Sequence, residues 1–215
     1  MLQKADPTPQ LKEWIDRLAP VVEETRDVLR RRNPGKLAMY SGCEQDANGD
    51  LRLEFFWRKH IISSEGFTVR QAEDDAEPSS FVQSLILTYL ATADGTTPSG
   101  RWIGFRELPD GMFYAQAFRG YTGRRLVRQL DGGIAAFNRA AERLQGKPFK
   151  DVGEASYAFT VLPRLHIAVV YWRGDDEFPS QARVLFEDTA AHYMSTDGLA
   201  ILGSQLVSQI LGAAQ

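Results

Sequence analysis

Apolar residues recur along 10–32 at intervals of three and four, at Leu11, Trp14, Ile15, Leu18, Val21, Val22, Val28 and Leu29. That spacing predicts an amphipathic helix. Pro20 is expected to kink it or split it in two, because proline lacks the amide donor and crowds the preceding turn. Arg30, Arg31 and Arg32 suit the negative end of the helix dipole, and Asn33-Pro34-Gly35 is expected to stop the helix. The period then shortens. Segments 37–43, 51–58, 60–63 and 67–70 read as short strands, with Asn48-Gly49 and Glu65-Gly66 between them. Asn-Gly flanked by apolar runs is a hairpin signal, since both residues tolerate positive φ.

An acidic loop, 71–78, leads to Ser79 or Ser80 as N-cap of a helix reaching about 93. Phe81/Val82, Leu85/Ile86 and Tyr89/Leu90 share one face of it, which marks a core helix. Segments 101–108 and 112–118 read as two strands joined by the turn Pro109-Asp110-Gly111, and 119–123 as a polar connection. Leu126 and Leu130 mark a short helix; 133–145 reads as another, with Ile134, Phe137, Ala141 and Leu144 inward and Gly146 as its stop. Segment 157–162 alternates as a half-buried strand. The β-branched and aromatic run 165–172 is expected to be the most buried strand. An acidic turn, 174–179, and a strand, 182–186, follow. Ser195 or Thr196 should cap a last helix to about 211, with Leu199, Leu202, Leu206 and Ile210 inward. Lacking strict β-α-β alternation, the chain is expected to be α+β, a mostly antiparallel sheet packed by N-terminal, central and C-terminal helices. The expected organisation is an N-terminal helical segment, 1–36, and a single α+β domain, 37–215.

Composition narrows the function classes. With 43% apolar and 25% charged residues in 215, the chain has the make-up of a globular protein. Lys+Arg 25 against Asp+Glu 28 leaves a net charge of −3, which argues against a nucleic-acid partner, since phosphate neutralisation needs a basic surplus. The single cysteine, Cys43, excludes an internal disulfide, a C-x-x-C pair and an iron–sulfur cluster held by this chain alone. The polar stretch 1–10, broken by Pro7 and Pro9, lacks the apolar run of a signal peptide. No apolar run approaches the ~20 residues of a membrane span. The expectation is a soluble cytoplasmic protein without a membrane partner.

Several clusters are candidates for chemistry. Asp46-Ala47-Asn48-Gly49-Asp50 imitates the start of a calcium loop, but Leu51 and Trp57 stand where the bend glycine and bidentate glutamate belong, so a hairpin turn is expected. Asp175, Asp176 and Glu177 follow the most apolar strand; crowded carboxylates raise a pKa or attract a cation. The histidines His60, His166 and His192 lack metal-ligand spacing; His166 reads as a packed residue, and His192 sits ahead of the last helix, where an imidazole can reach a ligand. Nothing beside Cys43 except Gly42 favours a nucleophilic role. Between 101 and 128 stand six arginines and six aromatics. Guanidinium forks bind phosphates and carboxylates, and rings stack on flat ligands. The candidate binding residues are Arg106, Glu107, Tyr114 and Arg119 with Asp175, Asp176, Glu177 and His192; no metal ligand and no cofactor is assigned.

Three segments, WIGFRELPDGMFYAQAF (102–118), VLPRLHIAVVYWRGDDEFPSQARVLFEDTAAHY (161–193) and TDGLAILGSQLV (196–207), resemble the bacterial and archaeal domain-of-unknown-function family DUF 3786. The resemblance runs from about Leu37 to the C-terminus, and its motif residues fall on Arg106, Glu107, Asp176, Glu177 and Pro179. It implies a family found mainly in anaerobes, some members carrying a neighbouring iron–sulfur domain; the cysteines of such a domain are missing here. It brings no reaction with it. The reading favoured by the residues is a binding or accessory protein for an anionic, partly planar small molecule, nucleotide-like or tetrapyrrole-like. Two alternatives stay open: a metal-assisted hydrolase using the turn 175–177 and His192, and a structural subunit whose aromatics form an interface.

Overall fold

The computed structural model describes residues 9–130, 133–149 and 152–215, and side chains from Pro20 onward. The polar leader and the inward placement expected for Leu11, Trp14, Ile15 and Leu18 lie outside what is described. The chain divides into two compact units, Met1–Gly95 and Thr96–Gln215. The α+β class holds, with the strands in two antiparallel sheets.

In the first unit, α1 (Pro9–Arg30) runs as one helix through Pro20. Val22 and Leu29 are buried, whereas Val21 and Val28 point to solvent, so the inward stripe is narrower than the apolar letters suggest. The expected strand at 37–43 is instead a helix, α2 (Pro34–Ser41). Asn33 accepts the Lys36 amide at 3.1 Å, Pro34 stands in the first turn, and Gly42 closes the helix in the left-handed region. The tripeptide that ends α1 therefore starts the next helix.

A four-stranded sheet follows in chain order: β1 (Glu44–Gln45), β2 (Leu51–Phe55), β3 (Arg58–Ile62) and β4 (Val69–Gln71). The hairpin at Asn48-Gly49 is present: Asp46 Oδ1 accepts the amides of Asn48 at 2.9 Å and Asp50 at 3.1 Å. The Arg52 guanidinium beside Asp46 holds its carboxyl below the usual range. The turn from β2 to β3 uses Phe56 and Trp57, both at positive φ, where Asn-Gly would be unstrained. Phe56, packed edge-on against Phe55 at 4.9 Å, offsets that strain by burial. Ser79 caps α3 (Ser80–Thr92), which is buried nearly all round. The Tyr89 hydroxyl donates to the Ser41 carbonyl at 2.5 Å, tying α3 to α2. Burial pushes the Cys43 thiol up to about 11, which makes it a packed, unreactive side chain.

In the second unit, β5 (Trp102–Gly104) passes through a 3-10 turn, Phe105–Glu107, into α4 (Gly111–Tyr121). Here the expected hairpin is overturned, since 112–118 is helical. No residue of Gly111–Tyr121 is β-branched, and Ala, Met, Gln and Arg favour the helix. Asp110, at φ 57°, turns the chain into it rather than into a second strand. α5 (Gly123–Gln129) and α6 (Gly133–Arg143) follow. Then come β6 (Lys147–Pro148), β7 (Ala155–Leu162), β8 (Leu165–Trp172), β9 (Gln181–Glu187) and α7 (Thr196–Ala213), with Ser195 as the last N-cap. The sheet order is β5-β9-β8-β7-β6. The β-branched run β8 lies at its centre, and its Ile167–Tyr171 stretch is wholly buried.

Cross-strand pairing puts Ile167, Phe186 and Phe159 on one face, together with Val169, Val184 and Tyr157. Phe137 of α6 stacks on Tyr171 of that face at 5.6 Å. Gly203 of α7 lets the helix reach Phe118 and Phe186; a Cβ there would lie 2.9 Å from the Phe118 ring. Burial of each large apolar side chain on this face contributes roughly 1.5–3 kcal/mol. Among the described residues no helix is long and apolar enough to cross a membrane.

Candidate functional site

The site begins with a mismatch in strand length. β5 pairs with β9 only from Trp102↔Glu187 to Gly104↔Leu185, so β9 continues beyond it as Gln181–Val184 without a strand on that side. α5 takes the vacated edge. Its first residue, Gly123, approaches so closely that a Cβ would lie 2.0 Å from the Ala182 carbonyl oxygen, a distance only glycine permits. Because α4, α5 and the end of β5 cannot close on β9 completely, a groove of about 840 Å³ remains between them. A small-molecule site holds roughly 300–1,000 Å³.

Helical geometry decides which α4 side chains line this groove. Met112, Ala115, Gln116 and Arg119 stand at i, i+3, i+4 and i+7, one stripe of the helix. Phe118 turns to the core and stacks on Phe105 at 4.2 Å. Trp102, stacked on Phe149 at 5.6 Å, supplies a flat apolar wall. Four guanidinium groups line the space: Arg106, Arg119, Arg124 and Arg183. Arg183 lies 5.5 Å over the Trp172 ring, a cation–π contact, and makes no ion pair or side-chain hydrogen bond among the described residues. Arg106, Arg119 and Arg124 make no salt bridge or side-chain hydrogen bond among the described residues. The one carboxylate of the lining, Glu107, accepts the Gly104 amide at 2.7 Å and so serves the turn beside it.

A smaller chamber of about 340 Å³ adjoins this groove, sharing Arg119, Gly123, Arg124 and Ala182 with it. It adds Arg128, Pro179 and Ser180, and among the described residues its lining holds no carboxylate.

Of the sequence candidates, Arg106, Glu107 and Arg119 border the groove. Tyr114 lies on the outer side of α4, 63% exposed, beside Phe113 at 88%. The acidic turn reaches the smaller chamber only through Pro179 and Ser180; Asp175, Asp176 and Glu177 line neither space. Asp175 Oδ1 accepts the amides of Glu177 at 2.9 Å and Phe178 at 2.7 Å. Those bonds hold its carboxyl below the usual range, the reverse of the rise that crowded carboxylates suggest. His192 ends a 3-10 turn, Ala190–His192, with Nδ1 at 3.2 Å from the Thr96 hydroxyl, away from both chambers. His166 Nδ1 stands 3.4 Å from Glu187 Oε1 on the sheet. Among the described residues no three His, Cys, Asp or Glu side chains are grouped to hold a metal ion.

Arg124 and Arg183 escaped the sequence reading as site residues. Alternation along 181–187 puts Arg183 on the face of Trp172 and Leu185, which was the available signal; the place of Arg124 depended on recognising the Gly123 contact. No curated protein and no solved structure matches this chain. The sequence model of a "Domain of unknown function (DUF3786)" matches residues 33–209, most of the chain, and the protein therefore belongs to the DUF3786 family.

Proposed function

We propose that the Thr96–Gln215 unit binds an anionic, partly planar small molecule, of nucleotide or tetrapyrrole type, and that the protein is a cytoplasmic binding or accessory protein. The observation that carries this reading is the set of uncommitted guanidinium groups around a groove of ligand size. Folding leaves clustered arginines without counter-charges only at a cost in mutual repulsion. An anion relieves it, and guanidinium forks meet phosphate or carboxylate oxygens bidentately. Trp102, Phe105 and Met112 offer a flat body an apolar wall.

The test is calorimetric titration of the full chain with ATP and with protoporphyrin IX, repeated on Arg106→Ala and Arg124→Ala. Loss of one charge-assisted contact should weaken binding about tenfold or more, with melting temperature nearly unchanged. The proposal fails if neither probe binds with Kd below about 1 mM, or if both variants bind as tightly as the parent chain. Should Arg106→Ala unfold the chain, Arg124→Ala decides, since its side chain has no partner among the described residues.

A further inference from the structure

We infer that the ligand carries a chain of two or more phosphate groups, running from the larger chamber into the smaller one; this rests on the reading of the groove as an anion site. The two chambers adjoin, since Arg119, Gly123, Arg124 and Ala182 border both. Arg106 belongs to the large chamber and Arg128 to the small one, and Arg119 and Arg124 border both. A single anion engages the arginines at one place and leaves the rest in mutual repulsion. A phosphoanhydride chain repeats a charged group at every link, so one molecule answers the whole row.

The lining of the small chamber suits such a chain. Among the described residues it holds arginines and no carboxylate, and it has a neutral donor besides. Ser180 Oγ accepts the Gly174 amide at 2.9 Å, which leaves its hydroxyl hydrogen free to donate. An acidic peptide added as a strand along the open part of β9 is the competing occupant. Gly123 already lies against that edge at Ala182, where the added strand would have to run, so the edge offers no ladder to a peptide.

The experiment titrates the full chain with inorganic phosphate, pyrophosphate and tripolyphosphate at constant ionic strength, on the parent and on Arg128→Ala. Affinity should rise about tenfold with each added phosphate. Arg128→Ala should erase the gain from pyrophosphate to tripolyphosphate, weakening tripolyphosphate binding about tenfold more than phosphate binding. Arg128 is unpartnered among the described residues, so a thermal melt should show the variant folded; were it not, Arg128→Gln repeats the measurement. Equal affinity across the series, or a rise that Arg128→Ala does not touch, overturns the chain-like ligand and leaves the groove reading standing. Binding of a poly-glutamate peptide as tight per charge as tripolyphosphate overturns it too. If none of these anions binds, nor ATP, nor protoporphyrin IX, the groove reading itself falls.

Discussion

Four arginines of the first unit and the four around the groove of the second are used in opposite ways, while Arg101 and Arg125 of the second unit are also engaged, by Asp188 and Ser208. In the first, Arg26, Arg30, Arg52 and Arg70 each hold a carboxylate, at 2.5, 2.6, 2.9 and 2.8 Å. Arg26 does more: it donates to the Phe67 carbonyl at 3.2 Å and to Gln83 Oε1 at 2.7 Å, with only 11% of its side chain exposed. Gln83 passes the link on to Glu77 and the Pro78 carbonyl. In the second unit, Arg106, Arg119, Arg124 and Arg128 surround open space and engage nothing described. A guanidinium spent on internal acceptors stabilises a fold; one left uncommitted at a cavity is available to something outside it. Residue counts cannot separate these uses, which is why a net charge of −3 hides a strongly positive groove.

The largest effect should come from removing the most committed arginine. Arg26→Ala strands the Phe67 carbonyl and Gln83 in a part-buried setting and should cost about 2–3 kcal/mol in a urea titration. A loss under about 0.5 kcal/mol would mean that this network is worth no more than a surface pair, and the contrast between the units would lose its strong side.

Acid should separate paired from unpaired arginines next, within the second unit itself. The Ser99 hydroxyl and Arg101 hold the Asp188 carboxyl below its ordinary value. A depressed folded value stabilises above the unfolded carboxylate pKa, near 3.9, and that share disappears as pH falls through the folded value. Melting temperature followed from pH 7 to 2.5 should therefore fall less steeply below pH 4 in Asp188→Asn than in the parent chain. Asp46 and Asp175 keep an acid limb in both. An unchanged slope would deny Asp188 this role. Arg119→Ala, which breaks no ion pair among the described residues, should leave the slope as it is.

What the sequence revealed and concealed follows from the same physics. Strand β8 and helix α7 were legible because one is dense in β-branched and aromatic residues and the other keeps a strict apolar stripe behind a serine cap. Helices α2 and α4 were missed because Leu, Met, Ala, Tyr and Phe fit either period over eight to eleven residues. The density of arginines and aromatics in 101–128 named Tyr114 without regard to face; the helix aligns Met112, Ala115, Gln116 and Arg119 on the groove and sends Tyr114 to solvent. The acidic turn drew attention by composition, yet Asp175 is occupied with its own backbone. The left-handed Phe56-Trp57 turn had no local signal, since its strain is offset by packing that only the folded chain supplies.

The smallest effect is the most informative about the groove. Arg124→Ala removes no described hydrogen bond and no ion pair, so its stability should lie within about 0.5 kcal/mol of the parent. The sign should even be favourable at low salt, because deleting one of several neighbouring like charges relieves repulsion among Arg106, Arg119 and Arg183. Raising the salt from 10 mM to 1 M shortens the screening length from about 30 Å to 3 Å. It should therefore close the gap, stabilising the parent slightly more than the variant. Paired thermal melts at both salt concentrations measure this difference directly. A destabilisation comparable to that of Arg26→Ala, unaffected by salt, would show Arg124 to be a fold-bearing residue like the arginines of the first unit, and the distinction between spent and uncommitted guanidinium groups would collapse at its central residue.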